Sequence, residues 1–523
     1  DQNILINNID MNVLKSSAIY SFFTFLSRIF GFLRDILIAN FLGAGFLADI
    51  FFVAFRFPNT FRRIFSEGAL NSAFVPIYSK LVIGSGKNES GQFAGNIISI
   101  LTFSTLLIVI LVEIFMPSFL QLLAPGFVAE EEKFSQLVHT SRIIFPFLVL
   151  ISISSIYSSI LNANGKFALS AALPIILNII LCLSLILSYF FSKNFLEFLS
   201  WGVLIAGIIQ ILFLFLSIKS NNIAIYFTRK ISQSVKSFFN LFFPSFFSSG
   251  LLQINILIGT IIASYESGAV SYLYYADRIY QLPLALVGIA LGIALLPSIS
   301  KKIKENSLSE VQTTIEKTIK FALTFAIPAS VGLYFIPEII VQVLFERGEF
   351  DSFATSETSM ALKMFSLGLV AFILVKILTP VFFAYENAKL PLIISFFNLL
   401  INTTLSIFFF YKIGFIGIAL ATSISAWLNV LVLYIFLSRR KYFNLSRAIF
   451  FPIFVVICVS AVLGLYLFWA NFYYSYYYQD LLTYKLLGIL VILLSSLILY
   501  FFLISFYRPF SYNEIRKSFL SNE

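Results

Sequence analysis

Ala73-Phe-Val-Pro-Ile-Tyr-Ser-Lys80 and Ala294-Leu-Leu-Pro-Ser-Ile-Ser-Lys301 share the pattern Ala-x-x-Pro-x-x-Ser-Lys, 221 residues apart. Gly126 and Gly348, each followed within two residues by phenylalanine, repeat at an offset of 222, and Asn164-Gly165-Lys166 and Asn387-Ala388-Lys389 at 223. One such coincidence is weak. Three collinear ones at a nearly constant offset mark a duplicated unit.

What is duplicated follows from the residues between these markers. Of 523 residues, 59% are hydrophobic and only 11% charged, and the mean hydropathy is +0.94. No water-soluble surface is built from that composition. Apolar stretches of about 20 residues, each long enough to cross a bilayer as a helix, recur from Ser17 to Phe506. Counting them between charged or Pro/Gly/Asn-rich breaks gives fourteen. The expected fold is an all-α membrane protein of 14 transmembrane helices: two homologous six-helix lobes plus two extra C-terminal helices. The expected boundaries are an N-lobe at 11–219, a basic cytoplasmic linker at 220–236, a C-lobe at 237–440, and helices 13 and 14 with a tail at 441–523. Residues 1–10, ahead of Met11, read as an N-terminal extension or cloning remnant. The first helix carries internal arginines and no small-residue cleavage site, so it reads as a retained span and not a signal peptide.

An even count puts both termini on one side. Lys219, Arg229, Lys230 and Lys236, then Lys301, Lys302 and Lys304, then Arg439, Arg440, Lys441 and Arg447 fall in alternate loops, while the others hold single cations such as Lys133 and Lys193. The positive-inside rule then makes the termini cytoplasmic and accounts for the net charge of +10 without a nucleic-acid partner. Cys182 and Cys458 lie in apolar segments and read as packing residues, and the single His139 lacks the companions of a metal site. The 64 phenylalanines read as compositional bias and lipid-facing surface.

The informative residues are charges in the first two helices: Ser27-Arg28, Arg34-Asp35, Asp49, Arg56, Pro58-Asn59, Arg62-Arg63 and Glu67. A charge at the centre of an isolated membrane helix costs roughly 2.5–3.5 kcal/mol, so these side chains are not expected to face lipid. Ion pairing of Arg34 with Asp35 or Asp49, and of Arg62 or Arg63 with Glu67, accounts for some of them. Arginine nevertheless exceeds carboxylate, which points to an anionic ligand. Tyr274-Tyr275-Ala276-Asp277-Arg278 supplies a further arginine from the second half. The guanidinium fork donates two parallel hydrogen bonds to phosphate and stays protonated, so a pyrophosphate is a natural target. Pro58 is expected to kink or unwind its helix. Gly288 and Gly292 read as close-packing residues. Asn398 and Asn402, one turn apart, offer amide oxygens to a cation or, as the blander reading, to a neighbouring helix.

The run from Ser27 through Arg34-Asp35, Gly43-Ala44-Gly45, Asp49, Pro58-Asn59, Arg62-Arg63-Ile64-Phe65 and Glu67-Gly68-Ala69 resembles the MurJ (MviN) family. Ala124-Pro125-Gly126-Phe127 and Tyr274 to Arg278 add to the resemblance, which extends from about Met11 to the C terminus. It implies a flippase of the multidrug, oligosaccharidyl-lipid and polysaccharide exporter superfamily. Its substrate would be lipid II, the undecaprenyl-pyrophosphate-linked peptidoglycan precursor, moved from the cytoplasmic to the periplasmic leaflet of the bacterial inner membrane. The resemblance assigns head-group binding to Arg28, Arg34, Arg62, Arg278, Ser27 and Asn59, beside a cavity charge network of Asp35, Asp49, Glu67 and Asp277. Asn398 and Asn402 only partly match the sodium site of some members, so no cofactor is expected, and coupling to sodium or the membrane potential stays open. Expected partners are lipid II, the bilayer and the peptidoglycan-synthesis machinery. A monomer is compatible with the sequence.

Two other readings compete with this one. A cation-coupled multidrug or lipid-linked oligosaccharide exporter of the same superfamily would favour twelve helices and an acidic or apolar cavity. A polyprenyl-phosphate-dependent glycosyltransferase would need a catalytic carboxylate in a large outside loop, and the candidates near Glu130 and Glu346 are short. Translocation makes and breaks no bond, so no nucleophile is required, and the sequence shows no nucleotide-binding loop to supply ATP energy; the chain reads as a transporter and not an enzyme.

Overall fold

The computed structural model describes residues 2–65, 70–228, 232–477 and 482–507, and every regular element among them is a helix. Glu67, Gly68, Ala69, Arg229, Lys230 and Tyr478, used in the sequence reading, lie outside the described residues. The chain forms two compact units, one of Asp1–Ser271 with Arg347–Phe350 and one of Tyr272–Glu346 with Asp351–Glu523.

The first unit holds α1 (Gln2–Leu42), α2 (Phe46–Arg62), α3 (Leu70–Gly84), α4 (Gly86–Ile114) and α5 (Met116–Leu123). It continues with α6 (Glu131–Ile144), α7 (Phe147–Ala163), α8 (Phe167–Ala171), α9 (Leu173–Phe191), α10 (Phe195–Ser220) and α11 (Gln233–Ala263). Residues 2–10 are thus the start of α1. Polar residues inside these apolar helices satisfy themselves locally. On α7 the buried Ser152, Ser155 and Ser159 each donate to the carbonyl four residues back, which removes the cost of an unbonded hydroxyl in a low-dielectric interior. Proline does not unwind α2 as expected. The helix stays α-helical across Pro58 and widens into a π turn only at 63–65.

α12 (Ala269–Pro283) begins in the first unit and leads into the second. There follow α13 (Ala290–Lys304), α14 (Leu308–Phe335), α15 (Pro337–Phe345), α16 (Ser352–Ala384), α17 (Lys389–Ile413), α18 (Ile416–Arg439), α19 (Phe450–Tyr477) and α20 (Leu482–Tyr507). Pro283 lacks an amide hydrogen, and a π-helical turn at Leu284–Ile289 separates α12 from α13. Gly288 and Gly292 act as the sequence suggested. A Cβ on Gly288 would lie 3.2 Å from the Ile373 Cα, and one on Gly292 would run into the Lys376 carbonyl oxygen, so the two glycines let this segment lie against the backbone of α16.

The chain is a multi-pass membrane protein. Eleven helices are long and apolar enough to cross a membrane among the described residues. α1, α2 and α3 are not among them, and α11 contributes only the shorter apolar stretch Gln253–Ala263. α2 and α3 are too short, at 17 and 15 residues, and α1 carries Arg28, Arg34 and Asp35 within its apolar part. Large apolar side chains stand outward along the spans, including Phe190, Phe191, Leu286 and Ile498, a distribution suited to lipid.

Three smaller expectations need correction. Phenylalanine is also a core residue here: Phe74 stacks on Phe93 at 5.2 Å and Phe238 on Phe242 at 5.3 Å, in a cluster joining α3, α4 and α11. Tyr473-Tyr474-Ser475-Tyr476-Tyr477-Tyr478 reads in the sequence as a loop with an interfacial aromatic anchor, but α19 continues to Tyr477, and Tyr474 is buried against α15 and α20 residues. Cys458, expected to pack, is exposed on α19, whereas Cys182 is buried.

Candidate functional site

On α1 the candidates divide by face. Ser27, Gly31 and Arg34 lie on the side that meets α9. There the Asn178 amide donates to the Ser27 carbonyl at 3.2 Å, and Arg34 Nη1 donates to Asn178 Oδ1 at 3.0 Å. A Cβ on Gly31 would come within 3.2 Å of the same amide, so glycine makes room for it. Arg34 also grips Asp35, with Nη2 and Nε 2.6 and 3.0 Å from Oδ1, and both residues are buried. The pairing weighed in the sequence is therefore formed, with Asp35 and not Asp49 as the partner. Arg28, one position round the helix, is exposed.

Arg62 and Asn59 sit one turn apart at the end of α2, half-buried, with Arg62 Nε donating to Asn59 Oδ1 at 3.1 Å. In the second unit, the Arg278 guanidinium lies over the Tyr274 ring at 4.6 Å and donates to its hydroxyl at 2.9 Å. Asp277 accepts from Gln281 one turn on. Gln281 thus serves as a neutral donor to the carboxylate.

Asp49 is not part of an open charge network: it is fully enclosed. Its Oδ2 accepts from Lys133 Nζ at 3.0 Å and from the Gly268 amide at 2.8 Å, while Oδ1 accepts from the Ser271 amide at 2.9 Å and Ser271 Oγ at 2.7 Å. The carboxylate therefore caps the first turn of α12 and satisfies amides that a helix start leaves unbonded. Lys133, counted in the sequence as a lone outside-loop cation, is as buried as its partner, with its ammonium 4.1 Å from the centre of the Phe127 ring.

Burial lowers the pKa of the Arg347 guanidinium, outside the spanning segments, from its ordinary value. On α17, Asn402 accepts from Ser425 Oγ of α18 at 3.2 Å, an interhelical hydrogen bond. The Asn398 carbonyl oxygen is buried with no hydrogen-bond partner among the described residues. Sequence reasoning missed Lys133 and Asn178. Asn178 had a signal: it is the one amide in the apolar span Leu173–Phe191.

Residues 38–504 match the family model for the lipid II flippase MurJ. The chain belongs to the MurJ family. The probable lipid II flippase MurJ of Rhizobium tropici is 37% identical over 459 residues, covering 87% of this chain and 86% of that protein. Its counterpart in Rickettsia prowazekii is 36% identical over 480 residues, covering 91% and 94%. A solved lipid II flippase MurJ, in an inward closed conformation, superposes with a TM-score of 0.79 at 31% identity, covering 94% of this chain and 98% of that one. An inward-facing multidrug resistance MATE family transporter of the MOP superfamily gives a TM-score of 0.66 at 14% identity, covering 80% and 94%, and shares the fold. The MurJ family match includes Asp49, Asn59, Arg62, Asp277, Arg278, Asn398 and Asn402 and begins after Ser27, Arg28, Arg34 and Asp35.

Proposed function

We propose that this chain translocates lipid II from the cytoplasmic to the periplasmic leaflet of the bacterial inner membrane by alternating access. The observation that carries the reading is the MurJ family match over residues 38–504. Fourteen spans follow if α1, the α2–α3 segment and α11 also cross, giving six-helix lobes at 11–219 and 237–440 and a final pair within 441–523. Both termini are then cytoplasmic. No bond is made or broken in such a reaction, so the chain is a transporter and not an enzyme.

Head-group recognition falls to Arg62 with Asn59 and to Arg278, with Arg28 as an entry contact. All are half-buried or exposed side chains able to meet an anion. Arg34 and Asp35 shape this region through their own pair. Cation coupling extends only as far as the residues carry it: Asn398 offers a buried carbonyl oxygen, while that of Asn402 is engaged by Ser425.

Native mass spectrometry of the purified chain tests the recognition step. The expected result is retained lipid II that undecaprenyl pyrophosphate displaces and undecaprenyl monophosphate does not. Equal displacement by the monophosphate would move recognition away from the diphosphate, and failure to retain lipid II would deny the substrate.

A further inference from the structure

The two repeated segments meet at equivalent positions. Asp49, in the first turn of α2, bonds Ser271, in the first turn of α12, and they are 222 residues apart, the offset that separates Gly126 from Gly348. Each of those glycines presses on the end of the first helix of the opposite repeat. Gly126 lies against the Ser264 backbone just beyond α11, where its amide donates to Ser264 Oγ at 3.1 Å. Gly348, at a φ of 58°, lies against the Asn40 carbonyl near the end of α1, which also accepts from the Glu349 amide at 3.0 Å. In both places an added Cβ would collide with backbone, so the approach requires glycine.

This pattern of paired clasps has one asymmetric element. Asp49 supplies a carboxylate where its repeat mate Ser271 supplies an amide and a hydroxyl. Lys133, in the first turn of α6, sits at a helix end whose dipole disfavours a cation. It is held there by Asp49 and by the face of Phe127, the residue that follows Gly126. The ammonium therefore ties the carboxylate that caps α12 to the Gly126 clasp.

We propose that Lys133 is a positioning residue of the transport cycle. Acting through Asp49, it holds the carboxylate across the start of α12 and keeps the two glycine clasps closed until the protein opens on that side. The proposal rests on the alternating-access reading.

The test uses the full chain in membranes, with Cys182 and Cys458 replaced by alanine. A cysteine pair at Asn40 and Glu349 reports the clasp, and a pair at Asn71 and Ser159, whose side chains hydrogen-bond within the first unit, serves as control. Lys133→Met is expected to slow disulfide formation at the clasp pair about tenfold relative to the control pair, the change expected from losing one charge-assisted hydrogen bond. Should Lys133→Met lower the amount of chain, Lys133→Met with Asp49→Asn is read in the same way, since it strands neither charge. A clasp rate unchanged relative to control, in whichever variant is read, overturns the proposal and leaves Lys133 a folding contact. Cross-linking requires no lipid II, so a slowed clasp in a protein that fails to translocate lipid II would keep this inference and remove the functional reading.

Discussion

Replacing Arg278 or Arg62 by alanine is expected to abolish lipid II translocation while the amount of chain in the membrane stays near wild type. Arg62 bonds Asn59 three residues back, and Arg278 bonds and stacks on Tyr274 four residues back. A hydrogen bond from a charged guanidinium to a neutral partner contributes about 1.5–3 kcal/mol, and both side chains are only half-buried, so the chain is expected to stay folded in the membrane. If these arginines hold the diphosphate as proposed, each substitution removes a charge-assisted contact to it. Lysine at either position keeps the charge without the fork, so partial rescue is expected. Immunoblotting of membranes beside growth of a depletion strain separates the two effects. Full rescue by lysine would mean that field strength alone matters. Loss of the chain itself would make these arginines structural.

Arg34→Ala should behave in the opposite way, lowering the amount of chain in the membrane before any question of activity arises. The Arg34–Asp35 pair is buried, with side-chain exposures of 10% and 3%, and Arg34 also satisfies Asn178. Removing one partner of a buried pair costs about 3–5 kcal/mol, because the other buried charge loses that pairing. Arg34→Ala with Asp35→Ala removes both charges and should recover most of the lost protein. Quantitative immunoblotting of the two single variants and the double variant checks this. An Arg34→Ala chain present at wild-type level but inactive would return Arg34 to the head-group contacts.

The contrast between these arginines shows where sequence reading stops. Helical class and multiple crossings were legible because twenty-residue apolar runs admit one structure in a bilayer. The duplication was inferred from turn residues, whose chemistry is constrained. Gly126 and Gly348 were visible as repeat markers, yet what they press against was not, since the Ser264 and Asn40 backbones are remote in sequence. The charged residues on α1 and α2 could be listed but not sorted. Whether an arginine meets a carboxylate, an amide or open space depends on rotation about the helix axis. Arg28 and Arg34 are six positions apart, and one is exposed while the other is buried. Lys133 was misplaced for a related reason. A cation beside Glu131 and Glu132 reads as a solvated loop charge until the fold brings Asp49 and Phe127 around it. Asp49 likewise read as a cavity charge, because the α12 amides it caps lie more than two hundred residues away in the chain.

The leaflet distribution of lipid II tests the central claim most directly. Cells depleted of the chain are treated with a membrane-impermeant reagent that cleaves lipid II from the periplasmic face, and the cleaved fraction is measured. The account predicts that depletion collapses this fraction while total lipid II rises, that the wild-type chain restores it, and that Arg278→Ala does not. A cleaved fraction that stays at its undepleted value would contradict the account.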